Sequence, residues 1–179
     1  SDIAKLANIT DRSIYRYFAT KADLVLETAL LFWSEAMAQV DAQAHMELDG
    51  DICGADCIPR ILQGYANLYF THRQMLIFVH EAEAYLNRSG KALLVENKPP
   101  APFEQSAGPL SSAIHKGIAD GSVRTDVDLP SLYYNTYDAL LGLIQKLAIG
   151  GRNNTADDEY ARIRLEQFCT MMESFYRKR

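Results

Sequence analysis

The N-terminal end of the chain carries net positive charge, although the protein as a whole is acidic. The 179-residue chain has a net charge of −5, yet residues 1–22 alone carry +2, which leaves −7 on the remainder. The charged side chains in this first segment are Lys5, Arg12, Arg16 and Lys21 against Asp2 and Asp11. A small basic end on an acidic body is typical of a protein that presents one end to a polyanion. The overall charge argues against a uniformly basic nucleic-acid-binding chain.

Reactive side chains elsewhere form no recognisable catalytic pattern. His80 and Glu81 are adjacent, but the second histidine of the zinc-protease motif is missing. Cys53 and Cys57 have loosely zinc-like spacing, but His45 is the only neighbour that can add a ligand, and a structural zinc site needs four. The chain has neither a glycine-rich phosphate loop nor a Gly-x-Ser-x-Gly elbow. We therefore expect no enzyme, no catalytic residue, no cofactor and no metal site.

Two short helices joined by a tight turn are predicted at the basic end. Residues 3–7 are expected to form the first helix, and Thr10 to cap a second helix that runs to Phe18. Asn8 suits the turn, because asparagine tolerates a left-handed backbone. A helix of about eight residues is only about 12 Å long, short enough to lie across a major groove. The side chains expected at the contact between the helices are Ala4, Ala7, Ile9, Ile14 and Phe18, and Tyr15 is also expected in the core.

This stretch resembles the DNA-binding signature of the TetR family of bacterial transcriptional regulators. The resemblance covers residues 3–24, and residues 117–128 also look like that family's turn before its last two helices. Asn8 stands where the family usually has glycine, and Asp11 is an unusual acid at the start of the recognition helix. The family has a further helix and a basic arm before this point, so we expect the intact protein to be longer. The residues that carry the resemblance are Ile3-Ala4, Ala7-Asn8-Ile9-Thr10, Ile14-Tyr15-Arg16-Tyr17-Phe18, Lys21 and Leu24.

The resemblance implies DNA-binding roles for individual residues. Thr10 would cap the recognition helix and offer its hydroxyl to a phosphate. An arginine that reaches guanine O6 and N7 in a bidentate pair discriminates between bases by roughly 1–3 kcal/mol. Tyr17 corresponds to the family's phosphate contact, and Lys21 opens the next helix, where it and free backbone N–H groups can hold a phosphate. The predicted DNA-binding residues are Thr10, Arg12, Ser13, Arg16, Tyr17 and Lys21.

The rest of the chain is predicted to be helical throughout. Thr20 and Asp23 have the spacing of a capping box, which predicts a long linking helix over about residues 21–45. No segment alternates like a strand, so the fold class is all-α. We expect a partial helix-turn-helix domain over residues 1–23 and an effector-binding and dimerisation domain over residues 24–179. Further helices are predicted over residues 59–71 with Pro59 in the first turn, 74–87, 110–119, 130–149 and 157–176, with loops over 46–55 and the proline-rich 97–109.

Helical periodicity predicts which residues of the longest helices face the core. On the linking helix the expected inward residues are Leu24, either Ala29 or Leu31, Phe32, Ala36 and Val40. On the helix that follows Pro59 they are Ile61, Leu62, Tyr65, Leu68 and Tyr69. On the last helix they are Ala161, Leu165, Phe168, Met172 and Phe175.

The resemblance also implies a homodimer and a small-molecule effector. In the family the last two helices of each subunit form a four-helix bundle, and the broad apolar faces of these helices suit that role. Two recognition helices about 34 Å apart would then read a palindrome in double-stranded DNA. The helical body is expected to enclose a cavity for a mostly hydrophobic or planar molecule. The predicted effector-binding residues are Tyr65, Tyr69, Phe78, Glu81, Tyr85, Tyr134, Tyr137 and Asp138, with Phe103 as a further candidate.

The sequence therefore predicts a TetR-like repressor that binds a palindromic operator as a homodimer and is released by an effector. It leaves open the alternative of a helical ligand-binding or protein-interaction module that no longer binds DNA. No apolar run approaches the roughly 18 residues of a membrane span, so we expect no membrane partner. Three cysteines are a sparse, odd set, as expected of reduced thiols in a cytoplasmic protein.

Overall fold

The computed structural model describes residues 2–48, 51–93, 108–151 and 155–179, and every regular element among them is a helix. The all-α prediction is confirmed. The predicted connection over residues 97–109, apart from its last two residues, and the candidate Phe103 lie outside the described residues. The elements are α1 (Asp2–Leu6), α2 (Asp11–Tyr17), α3 (Lys21–Leu48), α4 (Gly54–Ala66), α5 (Leu68–Thr71), α6 (Arg73–Arg88), α7 (Pro109–Asp120), α8 (Leu129–Gly150) and α9 (Thr155–Tyr176).

Helix α3 is the long linking helix, and it begins at the predicted capping box. The backbone N–H of Thr20 donates to Asp23 Oδ2 at 2.8 Å, and the N–H of Asp23 donates back to Thr20 Oγ1 at 3.1 Å. The helix runs to Leu48, past the predicted end at about residue 45. It can do so because Lys116 Nζ donates to the Leu48 carbonyl at 2.7 Å, which gives one of the last unpaired carbonyls a charged donor.

The sequence left open whether Ala29 or Leu31 of α3 faces the core, and the structure shows that Ala29 does. Ala29, Phe32, Ala36 and Val40 are buried, whereas Leu31 is 60% exposed. Small residues therefore dominate this face, and they let α4, α6 and α7 pack closely against the linking helix.

Helix α4 lies at the centre of the body. It packs against α3, α7, α8 and α9, and nine of its residues are buried. Ile61, Leu62 and Tyr65 point inward as predicted, as do Leu68 and Tyr69 in the neighbouring α5. The predicted single helix to residue 71 is interrupted at Asn67, where α4 ends and the one-turn α5 begins.

The start of α4 corrects the prediction for Pro59. The helix begins at Gly54, so Pro59 lies inside it rather than in its first turn. The turn after α7 explains the earlier start, because it supplies acceptors for N–H groups that would otherwise be unpaired. Asp120 Oδ2 accepts from the Gly54 N–H at 2.7 Å, and Ser122 Oγ accepts from the Ala55 N–H at 3.0 Å. Because the side chains that cap this helix come from a distant turn, the sequence around residue 54 does not mark it as the start of a helix.

Helices α8 and α9 contribute the remaining wall of the core. Tyr133, Thr136, Leu140 and Ile144 of α8 are buried. On α9 the predicted Ala161, Leu165 and Met172 are buried and Phe168 is partly buried. Phe175 was predicted inward but is 51% exposed, and its neighbour Tyr176 is fully buried instead. The hydroxyl of Tyr176 forms a hydrogen bond with Thr136 Oγ1 on α8 at 2.9 Å. This bond favours burial of Tyr176 over Phe175 at the end of α9.

The close approach of α4 to α7 generates a stability prediction. A Cβ added at Gly54 would lie 2.0 Å from the backbone N of Gly117 and 2.6 Å from the Ala113 carbonyl oxygen. We expect Gly54→Ala to lower the free energy of unfolding by about 2 kcal/mol or more, because backbone cannot move aside as a side chain can. Chemical denaturation measures the effect.

Gly64 provides the matched control on the same helix. A Cβ there meets only ordinary contacts, the nearest being Gln43 Oε1 at 3.6 Å. Gly64→Ala should leave stability unchanged or raise it by up to about 1 kcal/mol, since alanine favours a helix. Equal stability of the two variants would contradict the close backbone packing at Gly54.

Candidate nucleic-acid interface

The turn between α1 and α2 has the geometry that the sequence predicts. Asn8 has φ 53°, and among the described residues it is the one non-glycine residue with positive φ. The chain then reverses, with the Ile9 N–H donating to the Ala4 carbonyl at 2.9 Å. Ala4 is buried at the helix contact. A left-handed asparagine after α1 is a common way to end a helix, and it sets the direction of α2.

Helix α2 begins with the predicted cap. Thr10 has extended backbone, and its Oγ1 accepts from the Ser13 backbone N–H at 3.1 Å. The two hydroxyls of Thr10 and Ser13 are also 2.9 Å apart, within hydrogen-bond distance. The cap therefore holds both predicted DNA-binding hydroxyls at the exposed start of the helix. Rigid placement of a short helix suits recognition, because little order must be gained on binding.

The outer face of α2 carries cations and an aromatic ring. Arg12, Arg16 and Tyr17 are exposed, with Tyr17 at 72%, whereas Ile14 and Phe18 on the other side are partly buried. Arg16 Nη2 donates to Tyr17 Oη at 2.8 Å, and the guanidinium lies 4.9 Å from the Tyr17 ring centroid. This pairing holds the planar guanidinium, a group that binds phosphate or a guanine edge, beside Tyr17 on the exposed face of α2.

Ala7 and Ile9, which were expected between the short helices, are not buried there, and neither is Tyr15, which was expected in the core. Ala7 is exposed, Ile9 is 49% exposed and Tyr15 is 59% exposed. The five-residue α1 covers too little of α2 to bury them. Tyr15 instead forms one wall of a groove of about 270 Å³ that Ile3 and Leu24 also line.

Lys21 brings the predicted DNA-binding end into contact with the helical body. It is the first residue of α3, and its Nζ lies 5.5 Å from the ring centroid of Tyr85 on α6. The two residues were predicted to belong to different sites, Lys21 to the DNA-binding surface and Tyr85 to the effector site. The structure shows that they touch.

A second contact at the same place was missed in the sequence. Lys91, just after α6, donates to Asp23 Oδ1 within the capping box of α3. Hydrogen bonds from Lys91 and from Thr20 lower the pKa of the Asp23 carboxyl below its usual value. The capping box marked Asp23 as important, but nothing local to Lys91 indicates a partner so far away in the chain.

The predicted effector-binding residues fall into separate places. Tyr65, Tyr134 and Tyr137 meet in one aromatic cluster together with Tyr133, which the prediction did not list. Tyr69 is buried elsewhere, with its hydroxyl donating to Asp158 at 3.3 Å.

The other predicted effector-binding residues lie outside this cluster. Phe78 is partly buried against the core, and Tyr85 lies under Lys21. Glu81 and Asp138 are exposed on the surface of the protomer. The sequence placed all of these on helices, but it did not indicate which helices face each other.

The tyrosine cluster is held by a buried hydroxyl pair. Tyr65 Oη and Tyr137 Oη are 2.7 Å apart, and their rings meet edge to face at 5.2 Å between centroids. Burial raises the pKa of Tyr65 to about 12, and it raises the pKa of Tyr137 as well. Both phenols are therefore neutral hydrogen-bonding groups, of the kind that orient a ligand in an apolar site.

Metal and membrane chemistry find no support in the described part of the chain. No group of three or more histidine, cysteine, aspartate or glutamate side chains there can hold a metal ion. Nor does any described helix combine the length and apolar character that a bilayer span requires. Cys53, Cys57 and Cys169 are free thiols.

A capped short helix that follows a left-handed turn and precedes a helical body is the arrangement of a helix-turn-helix protein. The family model described as bacterial regulatory proteins, tetR family, matches residues 1–28. This match confirms the resemblance to that family seen in the sequence. No match was found among curated proteins.

The hydroxyl pair predicts a non-additive mutant cycle. Tyr65→Phe or Tyr137→Phe alone leaves one buried hydroxyl without its partner, which should cost about 1–3 kcal/mol of unfolding free energy. The double variant removes both hydroxyls, so it should lose less than the sum of the single losses. Urea denaturation of the four proteins measures the coupling, and strictly additive losses would contradict the pair.

The burial of Tyr65 also predicts a loss of stability at high pH. The pKa of Tyr65 is about 12 in the folded protein against an ordinary value of 10. Its contribution is therefore complete below pH 10 and lost as the pH rises toward 12, because the unfolded chain releases the proton first. The variant Tyr65→Phe should show a shallower decline over that range.

Proposed function

We propose that the protein is a TetR-family repressor that binds a palindromic operator as a homodimer and is released by a small-molecule effector. The observation that carries the proposal is the outer face of α2. A capped helix there presents Arg12, Arg16 and Tyr17 to solvent, within residues 1–22, whose side chains carry a net charge of +2.

The size and chemistry of α2 suit the major groove. Its seven residues make a helix of roughly 10 Å, shorter than the groove is wide. Arg16 can exchange the Tyr17 hydroxyl for a guanine edge or a phosphate oxygen, and Tyr17 can then donate to a neighbouring phosphate. Lys21 extends the same surface at the start of α3, where the helix N-terminus also favours a phosphate.

Exposed apolar stripes on α8 and α9 support dimerisation. Tyr160, Ile163, Met171 and Phe175 are between 46% and 58% exposed and recur along one side of α9. The exposed side of α8 includes Ala139, Gly142 and Ile149, and nothing lies within 4 Å of a Cβ added at Gly142. Small residues on one helix and large apolar residues on the other allow two copies to interdigitate. The stripe on α9 is named the dimer stripe below.

Contacts between the body and the start of α3 support control by an effector. Helix α6 and the residues after it hold Lys21 and Asp23 through Tyr85 and Lys91. Farther along α3, Phe32 lies 5.2 Å from Trp33 and 5.7 Å from His72 between ring centroids. A ligand that binds the body differently in two positions of α6 would shift α3, and with it the spacing of the two recognition helices.

The proposed DNA surface predicts a loss of operator affinity on mutation. Arg16→Ala should weaken binding by about 1–3 kcal/mol, because it removes a charged contact to DNA. Tyr17→Ala should weaken binding as well, since it removes both a phosphate donor and the partner that orients Arg16. A mobility-shift assay of the intact protein on the DNA beside its own gene measures both.

The control for this assay is Arg60→Ala. Arg60 is a partly exposed cation on α4 that pairs with Glu47, away from α2. It should leave DNA affinity unchanged, and all three variants should keep the wild-type oligomeric state. Wild-type affinity in both α2 variants would overturn the proposed surface and favour the ligand-binding module that does not bind DNA.

The dimer stripe predicts dissociation by a buried charge. Met171→Glu places a carboxylate in the centre of the stripe, and a desolvated charge without a partner should convert the dimer to a monomer. Sedimentation or light scattering measures the mass in solution. Arg162→Glu, on an exposed part of α9 outside the stripe, should remain dimeric. A monomeric wild-type protein, or a dimeric Met171→Glu variant, would contradict this interface.

A further inference from the structure

The end of α6 has a defined backbone geometry that sets its side chains against the first turn of α3. Gly90 has φ 71°, its N–H donates to the Asn87 carbonyl at 3.2 Å, and the Lys91 N–H donates to the Leu86 carbonyl at 2.9 Å. These two bonds around a left-handed glycine form a Schellman motif, which ends a helix at a fixed residue. Leu86 is buried, so the end of α6 is anchored in the core. Tyr85 and Lys91 are therefore held on a well-defined backbone.

Lys91 and Tyr85 contact different groups in the first turn of α3. Lys91 donates to Asp23 Oδ1, and Thr20 donates to Oδ2 through its N–H at 2.8 Å and through its Oγ1 at 2.7 Å. Both oxygens of the carboxylate that lies nearest to Lys21 along the chain thus already have donors. The Lys21 ammonium instead lies over the ring of Tyr85, with 5.5 Å between Nζ and the ring centroid. This cation is therefore held by a ring of the body and not by the neighbouring carboxylate.

The contact concerns DNA binding because Lys21 is the first residue of the linking helix. A phosphate at that position would gain from the ammonium and also from the N-terminus of the helix. The lysine side chain is flexible, and its ammonium binds a phosphate more strongly than it binds an aromatic ring. The contact with Tyr85 is lost when the ammonium moves to a phosphate. Its free energy is therefore subtracted from that of DNA binding.

We propose that Tyr85 is a positioning residue for the DNA-binding surface, and that its ring holds Lys21 away from phosphate in the free protein. The inference rests on the proposed function, because it concerns the same surface. DNA has to draw Lys21 from Tyr85, so the ring lowers operator affinity below what the surface alone would give. Because Tyr85 belongs to α6, the helical body sets how much positive charge the basic end offers to DNA.

The first test is the affinity of Tyr85 variants of the intact protein for the DNA beside its own gene, measured by fluorescence anisotropy. Tyr85→Leu removes the ring and should tighten binding by about two- to fivefold for each protomer bound, the strength of one cation–π contact at an exposed site. Tyr85→Met gives the same comparison should Tyr85→Leu be unstable. Tyr85→Phe keeps the ring and should restore the wild-type affinity. Binding by Tyr85→Leu that equals the wild type or is weaker would overturn the proposal.

The variant Lys21→Met separates this effect from a structural one. Alone it should weaken DNA binding and reduce the salt dependence of log Kd by about one for each protomer, since one phosphate contact is lost. In the Lys21→Met background, Tyr85→Leu should no longer change the affinity. A gain that persists without Lys21 would mean that Tyr85 acts through the packing of α6, and the proposal would then be wrong.

Side-chain NMR of Lys21 gives a readout that does not depend on affinity. The ring current of Tyr85 should shift the Lys21 methylene protons beside Nζ upfield in the DNA-free protein, and Tyr85→Leu should abolish that shift. Addition of the operator DNA should abolish the shift in the wild-type protein as well. An upfield shift that is retained in the DNA complex would contradict the proposal, because the ammonium would still lie over the ring.

Failure of this proposal and failure of the proposed function give different results. A wild-type protein that binds no DNA, or wild-type affinity in both Arg16→Ala and Tyr17→Ala, contradicts the DNA-binding surface itself. A wild-type protein that binds DNA and is weakened by Arg16→Ala, but gains no affinity from Tyr85→Leu, contradicts only the role of Tyr85.

Discussion

The backbone contact between the start of α4 and α7 is the constraint on which the body depends. Gly54 lies so close to Gly117 that no side chain fits between them, and the turn after α7 caps the first N–H groups of α4 through Asp120 and Ser122. Arg177, just after α9, donates a hydrogen bond to Asp56 in the first turn of α4. The first turn of α4 therefore contacts both the turn after α7 and the residue that follows α9. Linking helix α3 packs against α4 and α7 and carries the DNA-binding end away from this rigid base.

The parts of the structure that the sequence predicts well are those whose interactions are local. The left-handed Asn8, the Thr10 cap and the Thr20–Asp23 capping box each join residues no more than a few positions apart, so their residue types reveal them. Helical periodicity likewise identifies most of the buried faces of α3, α4 and α9. The predictions are wrong where a residue far away in the chain determines where a helix begins. The cap from Asp120 moves the start of α4 upstream of Pro59, and no periodicity in α4 contains that information.

The candidate sites follow the same division. The exposed residues of α2 could be located from the sequence, because they lie on one short helix within one recognisable segment, and their role in DNA binding stays a prediction. The tyrosine cluster could not be located, because its members come from α4 and α8 and meet only through the packing of the body: Tyr65 and Tyr137 are 72 positions apart.

Lys21 belongs both to the proposed DNA-binding surface and to a contact with the helical body. Its ammonium lies over the Tyr85 ring of the body, yet it stands on the surface proposed to meet DNA. A phosphate is a stronger partner for an ammonium than an aromatic ring is, so DNA bound at the proposed surface would compete with Tyr85 for this one charge. The neighbouring pair of Asp23 and Lys91 does not meet the proposed DNA surface and holds α3 to the body throughout. Movement of α6 would therefore reach α3 by way of Asp23, while Lys21 reports whether DNA is bound. The linkage runs both ways, because a ligand that draws α6 from α3 and a phosphate that draws Lys21 from Tyr85 act on the same few contacts.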